Sequence, residues 1–176
     1  MKIKSTKFKN LKIISSPVYK DNRGYFREIF KQNFFSREKF LFTCVSSSKK
    51  NVLRGMHLQL KFSQGKFLSV LKGEIYDVAV DLRKDSKTFG KYFSIKMSDK
   101  NGISIYIPQG FAHGFIGLKK ENIISYHCTN YRSKKHETGI IWNDKDLKIN
   151  WPIKKPILSI KDKNNISLKE FFKKNA

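Results

Sequence analysis

The stretch FLSVLKGEIYDVAVDL, residues 67–82, has the pattern of two buried β-strands joined by a tight turn. The runs Phe67–Leu71 and Glu74–Leu82 are apolar, and Lys72-Gly73 between them is a hairpin signal. Side chains alternate across a strand, so the second run has two distinct faces. One face carries only apolar and aromatic side chains: Tyr76, Val78, Val80 and Leu82. The other face mixes apolar side chains with two carboxylates: Ile75, Asp77, Ala79 and Asp81.

Further strand-like runs follow this hairpin at short intervals. They are Tyr92–Met97, Ile103–Ile107, Phe115–Leu118 and Ile123–Cys128, and turn-prone residues at 99–102 and 108–110 separate some of them. Many short strands at regular spacing predict an all-β sandwich or barrel.

Helix signals are few: the sequence predicts a short helix over Gln32–Phe40 in the N-terminal third and a final helix capped by Ser167 and running through Lys174.

Length and composition exclude several classes of protein. A chain of 176 residues favours a single domain over residues 1–176, and 39% hydrophobic residues are enough for a packed core. No apolar run reaches the length of about 18 residues expected of a membrane-spanning helix, and Met1–Asn10 lacks the apolar segment of a signal peptide. Cys44 and Cys128 have no metal or redox spacing, so we expect two reduced thiols in a cytoplasmic protein.

The net charge of +23, from 37 basic and 14 acidic residues, first suggests a nucleic-acid partner. Only 6 of the basic residues are Arg and 31 are Lys, while Ile occurs 19 times, Asn 12 times and Ala 3 times. Codons for Lys, Ile and Asn are rich in A and T, so genome composition accounts for much of this charge. Arg is the better residue for reading bases and clamping phosphates, and it is not enriched. We therefore expect neither a nucleic-acid nor a membrane partner.

The histidines do not form a metal-binding pattern. His57 is followed by Leu58 and Gln59, and the next histidine is His113, so the His-x-His pair with a nearby Glu is missing. We expect no metal. His127 is expected to face away from its neighbour Tyr126, and His136 to lie at the surface. The sequence has no Gly-rich phosphate loop, no serine nucleophile elbow and no paired-cysteine site.

Seven sequence strings nevertheless resemble the motifs of a known enzyme family, in the same order and with nearly constant spacing. They are DNRGYFRE (21–28), NVLRGMHLQ (51–59), QGKFLSVLKGEIYDVAVDLRKDSKTFGKY (64–92), IYIPQGFAHGF (105–115), YHCTNY (126–131), WNDKDLKINWP (142–152) and LSIKD (158–162). Over roughly residues 15–165 the chain resembles the dTDP-4-dehydrorhamnose 3,5-epimerase family of nucleotide-sugar enzymes. The resemblance implies a cupin-type jelly roll (double-stranded β-helix), usually a homodimer, that needs neither metal nor organic cofactor.

The chemistry of such an enzyme explains the catalytic residues that the resemblance implies. A 4-keto sugar has acidic protons on carbons 3 and 5, because its carbonyl accepts the negative charge as an enolate. Inversion then needs a base on one face, an acid on the other and a donor for the enolate oxygen. By resemblance, His57 is the base, Asp162 is its partner and Tyr126 is the acid. Lys66 matches the lysine beside the keto oxygen.

The resemblance also implies a set of residues that bind a nucleotide-diphosphate sugar. Arg23 and Arg54 match diphosphate contacts, for which guanidinium forks are well suited. Phe26 and Glu28 match residues near the nucleotide base, partly across the dimer. The other implied contacts with the substrate are His113, Gln59 and Arg132.

Departures from the family pattern leave alternatives open. Phe42 and Cys44 stand where members usually have a Gln and an Asn near the nucleotide, so a guanosine carrier is an alternative to thymidine. Arg132 replaces a tyrosine that lies at the sugar, and Lys61-Phe62 occupies a short loop beside the sugar pocket. One alternative is an epimerase of carbon 3 alone, acting on a GDP-linked 4-keto sugar or heptose for capsule or lipopolysaccharide. A 3,4-ketoisomerase matches the strings less well. An alternative from another class is a non-catalytic jelly roll that binds a sugar or nucleic acid.

Overall fold

The computed structural model describes residues 1–175; Ala176, the last residue of the predicted domain, lies outside the described residues. The described part contains thirteen β-strands and two α-helices. The strands are β1 Lys2–Ser5, β2 Lys12–Ser15, β3 Tyr19–Asp21, β4 Gly24–Phe26, β5 Phe42–Lys49, β6 Leu53–Gln59, β7 Lys66–Lys72, β8 Glu74–Asp81, β9 Tyr92–Ser98, β10 Ile103–Ile107, β11 Phe111–Gly117, β12 Glu121–Cys128 and β13 Glu137–Gly139. The helices are α1 Ile160–Lys163 and α2 Leu168–Asn175.

The strands form two main antiparallel sheets. A six-stranded sheet has the order β1-β2-β10-β7-β12-β5, and a five-stranded sheet has the order β13-β6-β11-β8-β9. A core cluster with side chains from both sheets, including Leu68, Ile75, Ile105 and Phe115, is fully buried between them. This two-sheet packing is the predicted all-β jelly roll. The strands β3 and β4 form a separate two-stranded hairpin.

The two strands predicted on either side of Lys72-Gly73 are confirmed as β7 and β8, but the predicted hairpin between them is wrong. β7 pairs with β10 and β12 in one sheet and β8 with β11 and β9 in the other, so the turn carries the chain from sheet to sheet. β8 is buried on both faces. Ile75 and Ala79 pack into the core between the sheets. Val78 and Val80 pack on the opposite face, against a second cluster that includes Leu147 and residues of α2. The two faces predicted from alternation therefore both face protein, which explains why the run is almost continuously apolar.

The predicted helix over Gln32–Phe40 is wrong beyond its first turn, because only a 3₁₀ turn over Gln32–Phe34 forms there. The Gln32 side chain donates to the carbonyls of Phe35 and Glu38. In an α-helix, such carbonyls would instead accept from backbone N–H groups four residues later. Phe35 and Phe40 pack edge-on against each other in an aromatic cluster with Phe67. Burial of these rings outweighs the weak helix propensity of the segment.

The predicted C-terminal helix is confirmed as α2, and its start is a capping box. The Ser167 hydroxyl accepts from the Glu170 backbone N–H at 3.2 Å, and the Glu170 carboxylate accepts from the Ser167 backbone N–H at 2.8 Å. Neither helix among residues 1–175 has the length and apolar character needed to cross a bilayer.

Candidate active site

A cavity of about 720 Å³ opens between the sheets and collects seven of the eleven predicted site residues. Its walls come from β5, β6, β7, β11 and β12, and from the segment 157–162 that leads into α1. The predicted residues that line it are His57, Lys66, Tyr126, Asp162, Arg54, His113 and Arg132. The two faces of the jelly roll thus bring together side chains that are far apart in the sequence.

His57 and Asp162 form a close pair in this cavity. Nε2 of His57 on β6 lies 2.5 Å from Oδ1 of Asp162 in α1, and Ser159 caps α1 by accepting from the Asp162 backbone N–H. Burial acts to raise the pKa of Asp162, but its hydrogen bonds with His57 and Ser159 and from the Gly55 backbone outweigh this, so the pKa is lowered. A carboxylate that holds Nε2–H fixes the tautomer and leaves Nδ1 with a free lone pair, as a general base requires.

A close backbone contact between β6 and β11 places His57 opposite His113. A Cβ built on Gly55, whose φ is +138°, would lie 2.5 Å from Cα of Gly114, and a Cβ on Gly114 would lie 2.6 Å from Sδ of Met56. The register of the two strands shifts by a bulge at this point, and His113 pairs directly with His57 across the strands. Only glycines permit this approach, so they set the spacing of the two imidazoles.

His113 belongs to a second buried histidine–carboxylate pair. Its Nε2 lies 2.8 Å from Oδ2 of Asp77 on β8, and both side chains are almost fully buried. The other carboxylate oxygen of Asp77, Oδ1, is buried without a hydrogen-bond partner. Asp77, on the face of β8 that carries two carboxylates, therefore orients His113 toward the cavity.

Tyr126 and Lys66 lie on the neighbouring strands β12 and β7 of the six-stranded sheet. The Tyr126 hydroxyl lies 3.0 Å from the Ser46 hydroxyl on β5, and burial raises the pKa of the phenol, which keeps it protonated as an acid must be. Burial lowers the pKa of the Lys66 ammonium, opposed by nearby thiols and carboxylates. A lysine held in this way is a strong donor to an oxygen that gains negative charge.

Arginines and a lysine add positive charge to the cavity wall. The Arg54 guanidinium donates to the Ser48 hydroxyl at 2.8 Å and to the Ser47 carbonyl, which fixes its orientation. Arg132 and Lys161 both donate to Oε2 of Glu137, at 2.9 and 2.7 Å. Burial acts to raise the pKa of Glu137, but these two cations lower it to about 2.

Four predicted site residues do not line the cavity. Arg23 lies at the tip of the β3–β4 hairpin, where it pairs with Asp21, and Phe26 on the same hairpin is 66% exposed. Glu28 pairs with Lys31 at 2.8 Å. Gln59 lies outside the cavity lining, and its buried amide bonds backbone groups of Phe62, Tyr131 and Ser133, so its contact with substrate stays a prediction. Gln59 holds the neighbouring loops in place.

The structure also shows site features that the sequence did not reveal. Ser46 orients the Tyr126 hydroxyl, and Glu137 joins β13 to α1, yet neither residue has a local sequence signal. Phe42 and Cys44 line the cavity, as their positions in the family pattern suggested. His127 faces away from Tyr126, as expected, and its ring stacks on Phe30. No group of three or more His, Cys, Asp or Glu side chains in the described part of the chain is placed to hold a metal ion.

The cavity of this jelly roll brings together a histidine–carboxylate base, a buried phenol and a lysine. This combination defines an isomerase that removes a proton from carbon and returns one to it. Its walls also carry the arginines suited to a phosphorylated substrate. The chain belongs to the dTDP-4-dehydrorhamnose 3,5-epimerase family, whose profile matches residues 5–170.

Named relatives support this assignment over nearly the whole chain. The dTDP-4-dehydrorhamnose 3,5-epimerase of Methanothermobacter thermautotrophicus is 43% identical over 165 residues, which cover 90% of this chain and 89% of the relative. That of Shigella flexneri is 42% identical, covering 93% and 94%. The crystal structure of the 3,5-epimerase of Legionella pneumophila, in complex with dTDP-4-keto-L-rhamnose, is 39% identical with a TM-score of 0.91, covering 96% of this chain and 93% of that one.

Proposed function

We propose that this chain inverts carbons 3 and 5 of a dTDP-linked 4-keto-6-deoxyhexose without a cofactor. The observation that carries the proposal is that the His57–Asp162 pair and the Tyr126 phenol line one cavity. A base and an acid are the two groups that epimerisation beside a carbonyl requires. The Legionella relative, which binds a dTDP-linked keto sugar, supports the choice of carrier.

In the proposed reaction, the substrate supplies its own electron sink. Nδ1 of His57 takes the proton from the carbon beside the keto group, and the electron pair of the C–H bond moves into an enolate. The Lys66 ammonium donates a hydrogen bond to the enolate oxygen, and the Asp162 carboxylate stabilises the imidazolium. Tyr126 then gives its proton to the opposite face of the carbon. Before the second carbon reacts, the His57 imidazolium releases its proton to solvent and the Tyr126 phenolate takes one up, which resets both groups.

The nucleotide end of the substrate requires residues outside the cavity, and we assign these to a homodimer. The exposed β3–β4 hairpin carries Arg23 and Phe26, and the Phe26 ring stacks on Tyr19 with centroids 6.5 Å apart. An exposed aromatic pair beside a guanidinium suits a base and a diphosphate. We propose that the hairpin reaches the partner's cavity, where Glu28 lies near the base, while Arg54 contacts the diphosphate from within.

Other parts of the proposal concern the state of the protein in the cell. We propose one domain over residues 1–176, working in the cytoplasm, where its two free thiols are reduced in the absence of an oxidant. The excess of lysine attracts the anionic nucleotide sugar in a general way and is not assigned to nucleic acid.

Solvent exchange tests the proposal directly. In deuterated water, proton NMR of a dTDP-linked 4-keto-6-deoxyglucose should show loss of signal at carbons 3 and 5 with the wild-type chain. His57→Asn should abolish both exchanges, whereas His136→Asn, the same change outside the cavity, should leave them intact. Exchange at carbon 3 alone would overturn the inversion of carbon 5. Exchange with a GDP-linked sugar only would overturn the carrier, and no exchange with either would overturn the enzymatic proposal.

A further inference from the structure

The two cysteines, far apart in the sequence, lie on the same face of one strand pair in the active-site cavity. In the register of β5 and β12, Cys44 is opposite Tyr126 and Cys128 is opposite Phe42. Residues opposite each other share a face, so Cys44 and Cys128 are diagonal neighbours, and both line the cavity. Sequence spacing alone does not reveal that these two free thiols are neighbours.

The environments of the two thiols differ in a way that suits a reactive pair. Cys44 is exposed, whereas Cys128 is buried and lies opposite Lys66 across β12 and β7. Burial raises the pKa of the Cys128 thiol to about 12, the Lys66 ammonium opposes this rise, and a hydrogen bond with Cys44 adds to it. An oxidant from solvent therefore meets Cys44 first, while Cys128 is protected and within reach of it.

We propose that Cys44 and Cys128 form a reversible redox pair, and that its oxidation by a peroxide lowers turnover at the active site. The Cys44 thiol gives up its proton and its sulfur attacks one peroxide oxygen. The O–O bond breaks, the leaving hydroxide takes up that proton as one water, and a sulfenic acid remains on Cys44. The Cys128 sulfur then attacks the sulfenic sulfur, the S–S bond forms, and the displaced hydroxide takes the Cys128 proton and leaves as a second water. Two thiols are oxidised and one peroxide is reduced; a dithiol reductant reverses the reaction.

Bond formation should move β5, and this movement connects oxidation to activity. Diagonal Cα atoms are about 7–8 Å apart in an antiparallel pair, and a disulfide needs about 4.4–6.8 Å. β5 is the edge strand of its sheet and has β12 as its one neighbour there, so a shift disturbs a single strand pairing. Because β5 carries the Ser46 hydroxyl that holds Tyr126 and the Ser47 and Ser48 groups that hold Arg54, the shift disturbs both. This effect on turnover rests on the proposed function, whereas disulfide formation does not.

Peroxide titration of the whole chain, read by intact mass and by thiol counting, tests the inference. Wild type should lose both free thiols, become lighter by two hydrogen atoms and run as a monomer on a denaturing gel without reductant. Cys44→Ser and Cys128→Ser, which each keep a small polar side chain, should form no such internal bond. Epimerase activity of the oxidised wild type should fall about threefold to tenfold, the loss expected for one ordinary hydrogen bond, and recover with dithiothreitol.

Several results would overturn the redox pair. A gain of two oxygen atoms at Cys44 with Cys128 still reduced would show that the thiols do not reach each other. Disulfide-linked dimers through Cys44 would do the same. An internal disulfide without loss of dTDP binding or activity would refute the effect of oxidation on turnover and leave the proposed function standing. Equal peroxide sensitivity of wild type and both variants, each compared with its own untreated activity, would place the damage elsewhere.

Discussion

Replacing Asp162 with asparagine removes the charge beside His57 while it keeps the shape of the side chain. The amide oxygen can still accept from Nε2–H, so the tautomer is preserved and the imidazolium formed during the reaction loses its counter-charge. Asp162 is 3% exposed and lies 2.5 Å from the imidazole, so solvent screens the interaction little. A hydrogen bond to a charged group contributes about 1.5–3 kcal/mol. At about 1.4 kcal/mol for each factor of ten, kcat should fall about 10-fold to 150-fold.

The assay for Asp162→Asn is product formation from the dTDP-linked keto sugar across a range of pH. Burial acts to raise the pKa of Asp162, but its hydrogen bonds with His57 and Ser159 lower it, so the carboxylate stays charged near neutral pH in the wild type and the loss of kcat should persist there. Asp144→Asn is a matched control: Asp144 is also buried, but it accepts from the backbone of Leu147 and Leu168, away from the cavity. That variant should lower the melting temperature and leave the pH profile in place. A wild-type kcat in Asp162→Asn would refute the assigned pair.

Three further predictions concern the acid, the strand contact and the aromatic cluster. Tyr126→Phe should lower formation of the epimerised product by about 10²–10⁴-fold while NMR still shows exchange of the abstracted proton, and a loss of exchange as well would contradict the role of Tyr126 as the acid. Gly114→Ala should cost about 1–3 kcal/mol by crowding Met56, measured by urea unfolding, and an unchanged midpoint would contradict the close contact. Burial lowers the pKa of His127 from its ordinary 6.5, so the unfolded chain binds the proton more readily. The free energy of unfolding should therefore fall as the pH drops below about 6.5. His127→Phe should remove that part of the pH dependence, and an identical dependence would contradict it.

The sequence predicts the sheet elements well where apolar residues alternate. β7 to β10 follow the predicted runs closely, and β12 begins two residues earlier than predicted. The polar run of β5 gives no such signal, because its edge position leaves much of it exposed to solvent. The segment 32–40 was mispredicted because helix propensity is weak and the burial of Phe35 and Phe40 decides its path.

The candidate site was predictable only through the ordered strings, since composition gives no weight to any single lysine or tyrosine. Once the fold places β6, β7 and β12 around one cavity, His57, Lys66 and Tyr126 meet there. Contacts that depend on register or on distant loops could not be found in this way. The Glu137 bridge to Lys161 and the pairing of the two cysteines both depend on tertiary structure alone.

The position of Asp162 outside the sheets has a consequence for how heat inactivates the protein. The short helix α1 follows the last strand, β13, and is anchored by its Ser159 cap, the His57 contact and the bridge from Lys161 to Glu137. Segments with so few buried contacts open locally at lower free energy than the sheets they rest on. Catalytic competence and global folding are therefore separable: α1 can open locally and withdraw Asp162 from the base while the two sheets and α2 remain packed. Thermal inactivation should then precede the loss of β-sheet circular dichroism.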